Sequence, residues 1–164
     1  MKEADILVEV QKHLATPGVL ATARGLSHFG EHALGWMGMG ALGALIDAPR
    51  RGQWVRLVVA AFVSHAISVV VKRIVRRKRP HDPRIKIGVG TPSKLSFPSS
   101  HATSTSAALV SLARITRNPL PLLGIPVMMV SRMVLGVHYP TDVATGALVG
   151  AVTAEAIART GKVK

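Results

Sequence analysis

Five long apolar stretches, separated by short polar segments, dominate the pattern of hydrophobic and polar positions along this chain. Each stretch approaches the roughly 20 residues that a helix needs to cross the hydrocarbon core of a bilayer. A soluble bundle with an apolar core is the alternative, but its helices would need polar outer faces, which several stretches lack. The pattern therefore predicts an all-α, polytopic membrane helix bundle with about five transmembrane helices. The predicted spans are 25–46, 54–75, 99–115, 120–137 and 141–158.

The N-terminal segment has a different pattern, in which apolar residues recur at helical spacing between charged ones. It predicts a short amphipathic helix at the membrane surface within residues 1–17, and it lacks the apolar core of a signal peptide. We expect residues 1–164 to form one domain, in which this interfacial helix precedes a transmembrane bundle over 25–160. The apolar positions of the helix are Ile6, Leu7, Val10 and Leu14.

Composition narrows the class of partner. The chain has 21 Lys and Arg against 8 Asp and Glu, a formal net charge of +13, although 48% of its residues are hydrophobic. Basic loops between membrane helices account for this combination. Nucleic acid is not an expected partner, because only 4% of the residues are aromatic and the basic residues lie between apolar runs. The absence of Cys excludes disulfides and thiolate metal ligands.

Two clusters at the ends of predicted spans contain residue types that bind phosphate. Lys72 and Arg79 are seven residues apart, which predicts two cations on one face of a helix that Pro80 ends. Lys binds phosphate as a point charge, and Arg binds it through two donors. Ser99, in the sequence Pro-Ser-Ser-His, can cap the third span, where free backbone N–H groups attract an anion.

A third cluster consists of Arg132, His138 and Asp142. His138 comes just before Pro140, which suits the first turn of the fifth span and places Asp142 in that turn. A carboxylate that bonds one imidazole nitrogen fixes the tautomer and leaves the other nitrogen free to attack. Asp142 as a simple helix cap, beside a structural histidine, is the alternative. If five helices cross in turn, all three clusters lie on one membrane face.

Together the clusters resemble the type 2 phosphatidic acid phosphatase (PAP2) superfamily, whose pattern is K-x6-RP, PSGH and SR-x5-H-x3-D. The three blocks occur in order over residues 72–142, with Ser100 in place of the family glycine. The resemblance implies hydrolysis of a phosphate monoester or pyrophosphate on a lipid, without metal or cofactor. It implies His138 as the nucleophile that becomes phosphohistidine, His101 as the general acid and Asp142 as the residue that orients His138. The implied phosphate-binding residues are Lys72, Arg79, Ser99, Ser100 and Arg132.

The small size resembles that of the short members of the family and predicts a polyprenyl phosphate lipid as substrate, in the bilayer. Undecaprenyl pyrophosphate and phosphatidylglycerophosphate-type lipids are the alternative substrates, and a homo-oligomer is left open. Two other classes compete. Vanadate-dependent haloperoxidases share the site pattern but are soluble and larger, and a basic scaffold could bind anionic lipid without catalysis.

The face that carries the blocks has 12 basic residues and the opposite face 8, or 10 against 8 without Lys72 and Arg79, with Arg132 left uncounted. The positive-inside rule therefore predicts a multi-pass protein of the cell (inner) membrane with its site on the cytoplasmic face.

His28, Glu31 and His32 match the H-x-x-E-H zinc signature, and on one helix the two histidines would share a face. No clear third ligand follows, so a metallopeptidase is only the alternative. Ionisable residues within a membrane segment are candidate functional residues, and we predict that these three line a headgroup pocket or pair with the basic loop. His65, in the middle of the second span, is interpreted as a packed or hydrogen-bonded histidine.

Overall fold

A computed structural model describes residues 2–160, and most of this part of the chain is helical. One isolated antiparallel bridge joins Lys78 to Leu95. Three short 3-10 turns, Glu31–Ala33, Ala48–Arg50 and Leu120–Leu123, lie between helices. The predicted all-α fold is confirmed. The helices are α1 (Glu3–Leu14), α2 (Pro17–Gly30), α3 (Leu34–Ile46), α4 (Arg51–Val75), α5 (Ser100–Thr116), α6 (Gly124–Val134) and α7 (Pro140–Thr160).

Helix α5 lies at the centre of the bundle, where it packs against α4 and α7. Small residues fill its buried face, so neighbouring backbones approach closely. The tightest approach is at Gly150 of α7, where a Cβ atom would lie 2.1 Å from the carbonyl oxygen of Thr103. Gly146, one turn earlier, faces Ser99 in the same way. This packing fixes the start of α5 against the start of α7, which carries the last sequence block.

The first predicted span, 25–46, is not one helix. Helix α2 ends at Gly30 and α3 begins at Leu34, and between them His32 and Ala33 have φ values of 50° and 62°. The chain turns so tightly that a Cβ atom at Gly35 would lie 2.3 Å from the Phe29 carbonyl oxygen. Apolar residues continue on both sides of this break, so hydrophobicity alone could not locate it.

The other predicted spans agree more closely with the structure. The ends of α4, α5 and α7 lie within three residues of the predicted limits. The fourth span is shorter than predicted, because Leu120–Leu123 forms a 3-10 turn around Pro121 and α6 ends at Val134. Gly136, with φ of 69°, then turns the chain toward α7.

Two helical segments, Ala48–Val75 and Pro140–Thr160, are long and apolar enough to cross a membrane. The bundle also directs large apolar side chains outward: Leu45, Ile74 and Leu148 are 76%, 74% and 65% exposed. Apolar surface of this kind is typical of contact with a membrane. The number of crossings, about five, stays a prediction.

Helix α1 forms as predicted, but it is also bonded to the rest of the chain. Leu7 is fully buried, and α1 packs against α6 and α7. The Gln11 side chain donates to the carbonyl oxygens of Lys86 and Val134 at 2.7 and 2.9 Å. These bonds connect α1 to the long loop 76–99 and to the end of α6. The interfacial position of α1 remains a prediction.

Candidate active site

A cavity of about 290 Å³ opens where the ends of α2, α4 and α6, the start of α5 and the loop 76–99 meet. Nine of the eleven residues that the sequence predicted for the site line it. The other two, Ser99 and Asp142, lie behind the lining and contact each other, since the Ser99 N–H donates to the Asp142 carbonyl oxygen at 3.0 Å. The nine are His28, Glu31, His32, Lys72, Arg79, Ser100, His101, Arg132 and His138.

His138 and Asp142 form a buried pair at the start of α7. His138 is 2% exposed, and its Nδ1 atom lies 3.6 Å from Oδ2 of Asp142. The same Oδ2 accepts a hydrogen bond from the Tyr139 N–H at 2.8 Å, so the carboxylate caps α7 and faces the imidazole at once. His138 lies just before α7, which begins at Pro140, and Asp142 lies in its first turn, as the sequence predicted. A carboxylate beside Nδ1 favours the tautomer with its proton there and a free Nε2.

Arg79 faces that free nitrogen. Its Nη1 donates to the Val137 carbonyl oxygen at 2.8 Å and lies 3.2 Å from Nε2 of His138, and its Nε donates to the Ser93 carbonyl oxygen. Burial lowers the pKa of Arg79 to about 10, so it stays charged at neutral pH. Burial, with Arg79 as the first of several nearby cations, lowers the pKa of His138 well below its usual range. The imidazole is therefore neutral, which is the form that can act as a nucleophile.

Lys72, in the last turn of α4, is 7% exposed and holds the loop 76–99. Its Nζ donates to the carbonyl oxygens of Leu95, Ser96 and Pro98 at 3.4, 3.3 and 2.7 Å. These three bonds match the three hydrogens of an ammonium group. Lys72 therefore supplies positive charge to the cavity while its donors anchor the loop.

The prediction that Lys72 and Arg79 share one helix face is wrong. Helix α4 ends at Val75, because Arg76 takes the left-handed conformation with φ of 54°. Arg79 then lies on an extended segment next to the Lys78 bridge. The two cations reach the same cavity through the path of the loop.

Arg132, on α6, is the most deeply buried cation of the site, with 1% of its surface exposed. Its Nε and Nη1 atoms have no hydrogen-bond partner within the described part of the chain. Leaving a buried charged group without partners costs several kcal/mol. An anion in the cavity would provide the missing acceptors, as a phosphate does for a guanidinium group.

The second block lies at the start of α5. The Oγ atom of Ser99 accepts a hydrogen bond from the Ala102 N–H at 3.4 Å, which caps the helix as expected. Ser100, where the family has glycine, accepts a hydrogen bond from the Ser68 hydroxyl at 2.8 Å. Nε2 of His101 lies 2.9 Å from the Ser27 carbonyl oxygen, to which its N–H donates. The general-acid role of His101 stays a prediction.

His28, Glu31 and His32 do not form the helical zinc signature. His28 belongs to α2, whereas Glu31 and His32 lie in the following turn, so the two histidines share no continuous helix. Among the described residues, no cluster of three His, Asp or Glu side chains is close enough to hold a metal ion. The three residues instead line the cavity beside His65, whose ring lies 5.8 Å from that of His32. The interpretation of His65 as a packed histidine missed this position, and its buried Nδ1 has no partner in the described chain.

Sequence analysis also missed Arg77. Its Nη1 atom donates to Oδ1 of Asp142 at 2.9 Å. Nothing local distinguishes Arg77 from Arg76 or Lys78. Only the three-dimensional contact identifies it.

Comparisons with known proteins agree with this geometry. Residues 53–163 match the sequence profile of the PAP2 superfamily. A decaprenylphosphoryl-5-phosphoribose phosphatase from Mycolicibacterium smegmatis is 57% identical over 145 residues, which cover 88% of this chain and 81% of that protein. A protein of the same name from Mycobacterium tuberculosis is 54% identical over 150 residues, or 91% of this chain and 85% of that protein. The chain therefore belongs to the PAP2 superfamily, a family of phosphatases, as the three blocks predicted.

Two solved structures share the fold. The transmembrane PAP2-type phosphatidylglycerolphosphate phosphatase from Bacillus subtilis superposes with a TM-score of 0.77 at 18% identity, over 98% of this chain and 87% of that one. LpxE from Aquifex aeolicus superposes with a TM-score of 0.78 at 16% identity, over 94% and 93%. The helical bundle is thus that of membrane PAP2 enzymes.

Proposed function

We propose that this protein is a membrane phosphatase that hydrolyses the 5-phosphate of decaprenylphosphoryl-5-phosphoribose. The products are decaprenylphosphoryl ribose, a precursor for cell-wall arabinan, and inorganic phosphate. The identity of 54–57% to two phosphatases of that name, over most of both chains, supports the substrate. The observation that carries the reaction is one cavity lined by His138 and by the unpaired donors of Arg132.

The reaction has two steps. Nε2 of His138 attacks the phosphorus atom, the bond from phosphorus to the ribose oxygen breaks, and His101 gives a proton to the leaving alkoxide. Water then attacks phosphohistidine and gives a proton to His101, which releases phosphate and restores both imidazoles to their starting forms. Asp142 keeps Nδ1 of His138 directed away from the substrate, while Arg79 and Arg132 stabilise the charge on the transferred phosphoryl group.

We propose that the reaction needs no metal ion. The groups assigned to the phosphate are cationic or hydroxylic, and Glu31 is the single carboxylate among the described residues that line the cavity. Activity should survive EDTA. Loss of activity in chelator, with recovery on addition of Mg²⁺, would contradict the metal-free reaction.

The ribose is assigned to the side of the cavity formed by His28, Glu31, His32 and His65. Imidazole and carboxylate groups bond sugar hydroxyls, and Nδ1 of His65 is available for such a bond. Replacing His28 and Glu31 by Ala should raise KM for the ribose lipid. Unchanged KM and unchanged stability would remove these residues from the headgroup pocket.

The proposal includes a single PAP2-type domain over 1–164 that crosses the cell (inner) membrane several times, with its cavity on the cytoplasmic face. The basic-residue count supports this orientation, although two of its residues, Lys162 and Lys164, lie outside the described residues. Single cysteines at Gly90, beside the cavity, and at Gly52, at the start of α4, can be probed because the chain has no native Cys. An impermeant thiol reagent on intact cells should label position 52. Labelling of position 90 and not of 52 would reverse the orientation.

Phosphate release from purified protein tests the function. Decaprenylphosphoryl-5-phosphoribose should be hydrolysed with a higher kcat/KM than phosphatidylglycerophosphate or undecaprenyl pyrophosphate. Preference for either of those lipids would replace the substrate and keep the enzyme class. Binding of all three lipids without phosphate release would favour a lipid-binding scaffold.

A further inference from the structure

The Arg77 guanidinium joins three parts of the chain that are distant in sequence. Its Nη1 atom donates to Oδ1 of Asp142 at 2.9 Å and to Oγ1 of Thr141 at 2.7 Å. Its Nη2 atom pairs with the carboxylate of Glu3 in α1. The guanidinium carbon lies 4.2 Å from the centre of the Tyr139 ring. These contacts leave the guanidinium little freedom to move.

Glu3, in the first turn of α1, bonds to Thr141 as well as to Arg77. Its Oε1 atom accepts hydrogen bonds from the Thr141 N–H at 3.0 Å and from the Thr141 hydroxyl at 2.7 Å. A carboxylate at this position suits the positive end of the α7 dipole. The first turn of α7, which carries Asp142, is therefore bonded to Glu3 through its backbone and to Arg77 through the Asp142 side chain.

The two oxygens of Asp142 have separate partners. Oδ1 is bonded to Arg77, and Oδ2 faces both the Tyr139 N–H and Nδ1 of His138. With Oδ1 fixed, rotation of the carboxylate away from His138 would break the Arg77 bond. Arg77 does not line the cavity, so it can affect the substrate only through Asp142 and His138.

We propose that Arg77, held by Glu3, is a positioning residue that keeps Asp142 aligned with the nucleophile His138. Helix α1 thereby becomes part of the catalytic apparatus, although it lies outside the segment that matches the family profile. The inference rests on the proposed role of His138 in phosphate transfer.

The test compares Arg77→Met and Glu3→Gln with Lys78→Met, which removes a charge from an exposed side chain next to Arg77. Arg77→Met should lower kcat by roughly 10- to 100-fold, the usual cost of a misplaced reacting group, with KM within about twofold. Arg77→Lys should recover part of the loss, and added guanidinium ions should partly rescue Arg77→Met. Lys78→Met should stay within about twofold of wild type in both constants.

Glu3→Gln gives a second, milder variant. Its kcat should fall by a few fold, and the double variant Glu3→Gln/Arg77→Met should be no slower than Arg77→Met alone, because both act through one network. Wild-type kcat in Arg77→Met, a change in KM alone, or additive losses in the double variant would overturn the inference. If Arg77→Met does not fold, an unchanged kcat in Glu3→Gln overturns it.

Each variant is assayed on the ribose lipid and on nitrophenyl phosphate, since attack by His138 is common to both. A wild-type protein active only on nitrophenyl phosphate would reject the lipid substrate and leave the Arg77 comparison decisive. A wild-type protein inactive on both would reject the function and this inference together.

Discussion

The two cationic sides of the cavity differ in what their donors do. On the loop side, Nζ of Lys72 and the Nε and Nη1 atoms of Arg79 donate to main-chain carbonyl oxygens. On the α6 side, two donor atoms of the buried Arg132 have none within the described chain. Both sides supply positive charge, but of these three cations only Arg132 has buried donor atoms without a partner in the described chain.

Lys72 therefore helps to hold the site together, whereas Arg132 is available to bind an anion. Lys72 anchors the loop 76–99 to the bundle. Its charge also adds to the positive electrostatic potential in the cavity. Arg132 is held in place by packing, and its unpaired state costs free energy that an anion returns on binding. We expect replacement of Lys72 to lower stability and activity, and replacement of Arg132 to lower activity without loss of stability.

The largest effect is expected at the nucleophile that lies between the two sides. His138→Ala should abolish turnover, whereas Asp142→Asn should leave residual activity, because it misplaces a nucleophile that is still present. His13→Ala, at an exposed histidine of α1, is the matched control and should keep full activity. Phosphate release by folded His138→Ala protein at the wild-type rate would contradict the assignment.

Replacing Arg132 and Lys72 by Met, one at a time, tests the difference between the two sides of the cavity. Arg132→Met should lower kcat/KM by roughly 10²- to 10³-fold, the cost of losing a donor to developing charge, without loss of thermal stability in the absence of ligand. Inorganic phosphate should stabilise the wild type against unfolding and should not stabilise this variant. Equal stabilisation of both proteins by phosphate would show that Arg132 is not its ligand.

Lys72→Met should instead destabilise the fold, by about 1–3 kcal/mol, because three carbonyl oxygens lose their donor and two of these hydrogen bonds are buried. Activity should also fall, since the loop carries Arg79. Chemical denaturation in detergent measures the first effect. A variant as stable as wild type would contradict the anchoring role of Lys72.

How far the sequence could predict this site depends on which level of structure each feature belongs to. Apolar stretches predicted most of the helices, and the three blocks predicted six residues that line one cavity, because these features are local. The helix ends near His32 and Arg76 depend on left-handed backbone conformations that non-glycine residues rarely adopt. The role of Arg77 depends on contacts with residues 64 and 65 positions later and with Glu3, which no local pattern encodes.

The packing that holds both sides together gives a further test. Gly150→Ala should destabilise the protein by about 1–3 kcal/mol, because its Cβ atom would clash with the Thr103 carbonyl oxygen of α5. Gly38→Ala, in α3 with open space around it, should be neutral or slightly stabilising. Thermal unfolding of the two variants in one detergent measures the difference, and equal midpoints would contradict the close packing of α5 and α7.

The smallest effect concerns pH. The pKa of His138 lies well below its unfolded value of about 6.5, so the unfolded chain binds a proton there first as the pH falls. Stability linked to His138 is therefore complete above about pH 6.5 and declines below it. A plot of unfolding midpoint against pH should be less steep for His138→Ala than for wild type between pH 5 and pH 6.5. Parallel plots would contradict a neutral, buried His138.

The most direct measurement is transfer of label to the protein. Wild-type protein mixed with lipid that is radiolabelled in the 5-phosphate, and quenched in alkali, should carry label that is stable to alkali and lost in acid. His138→Ala should carry none, and Arg77→Met should acquire label more slowly than Lys78→Met. Label on His138→Ala, or label on another residue of the wild type, would contradict the phosphohistidine route.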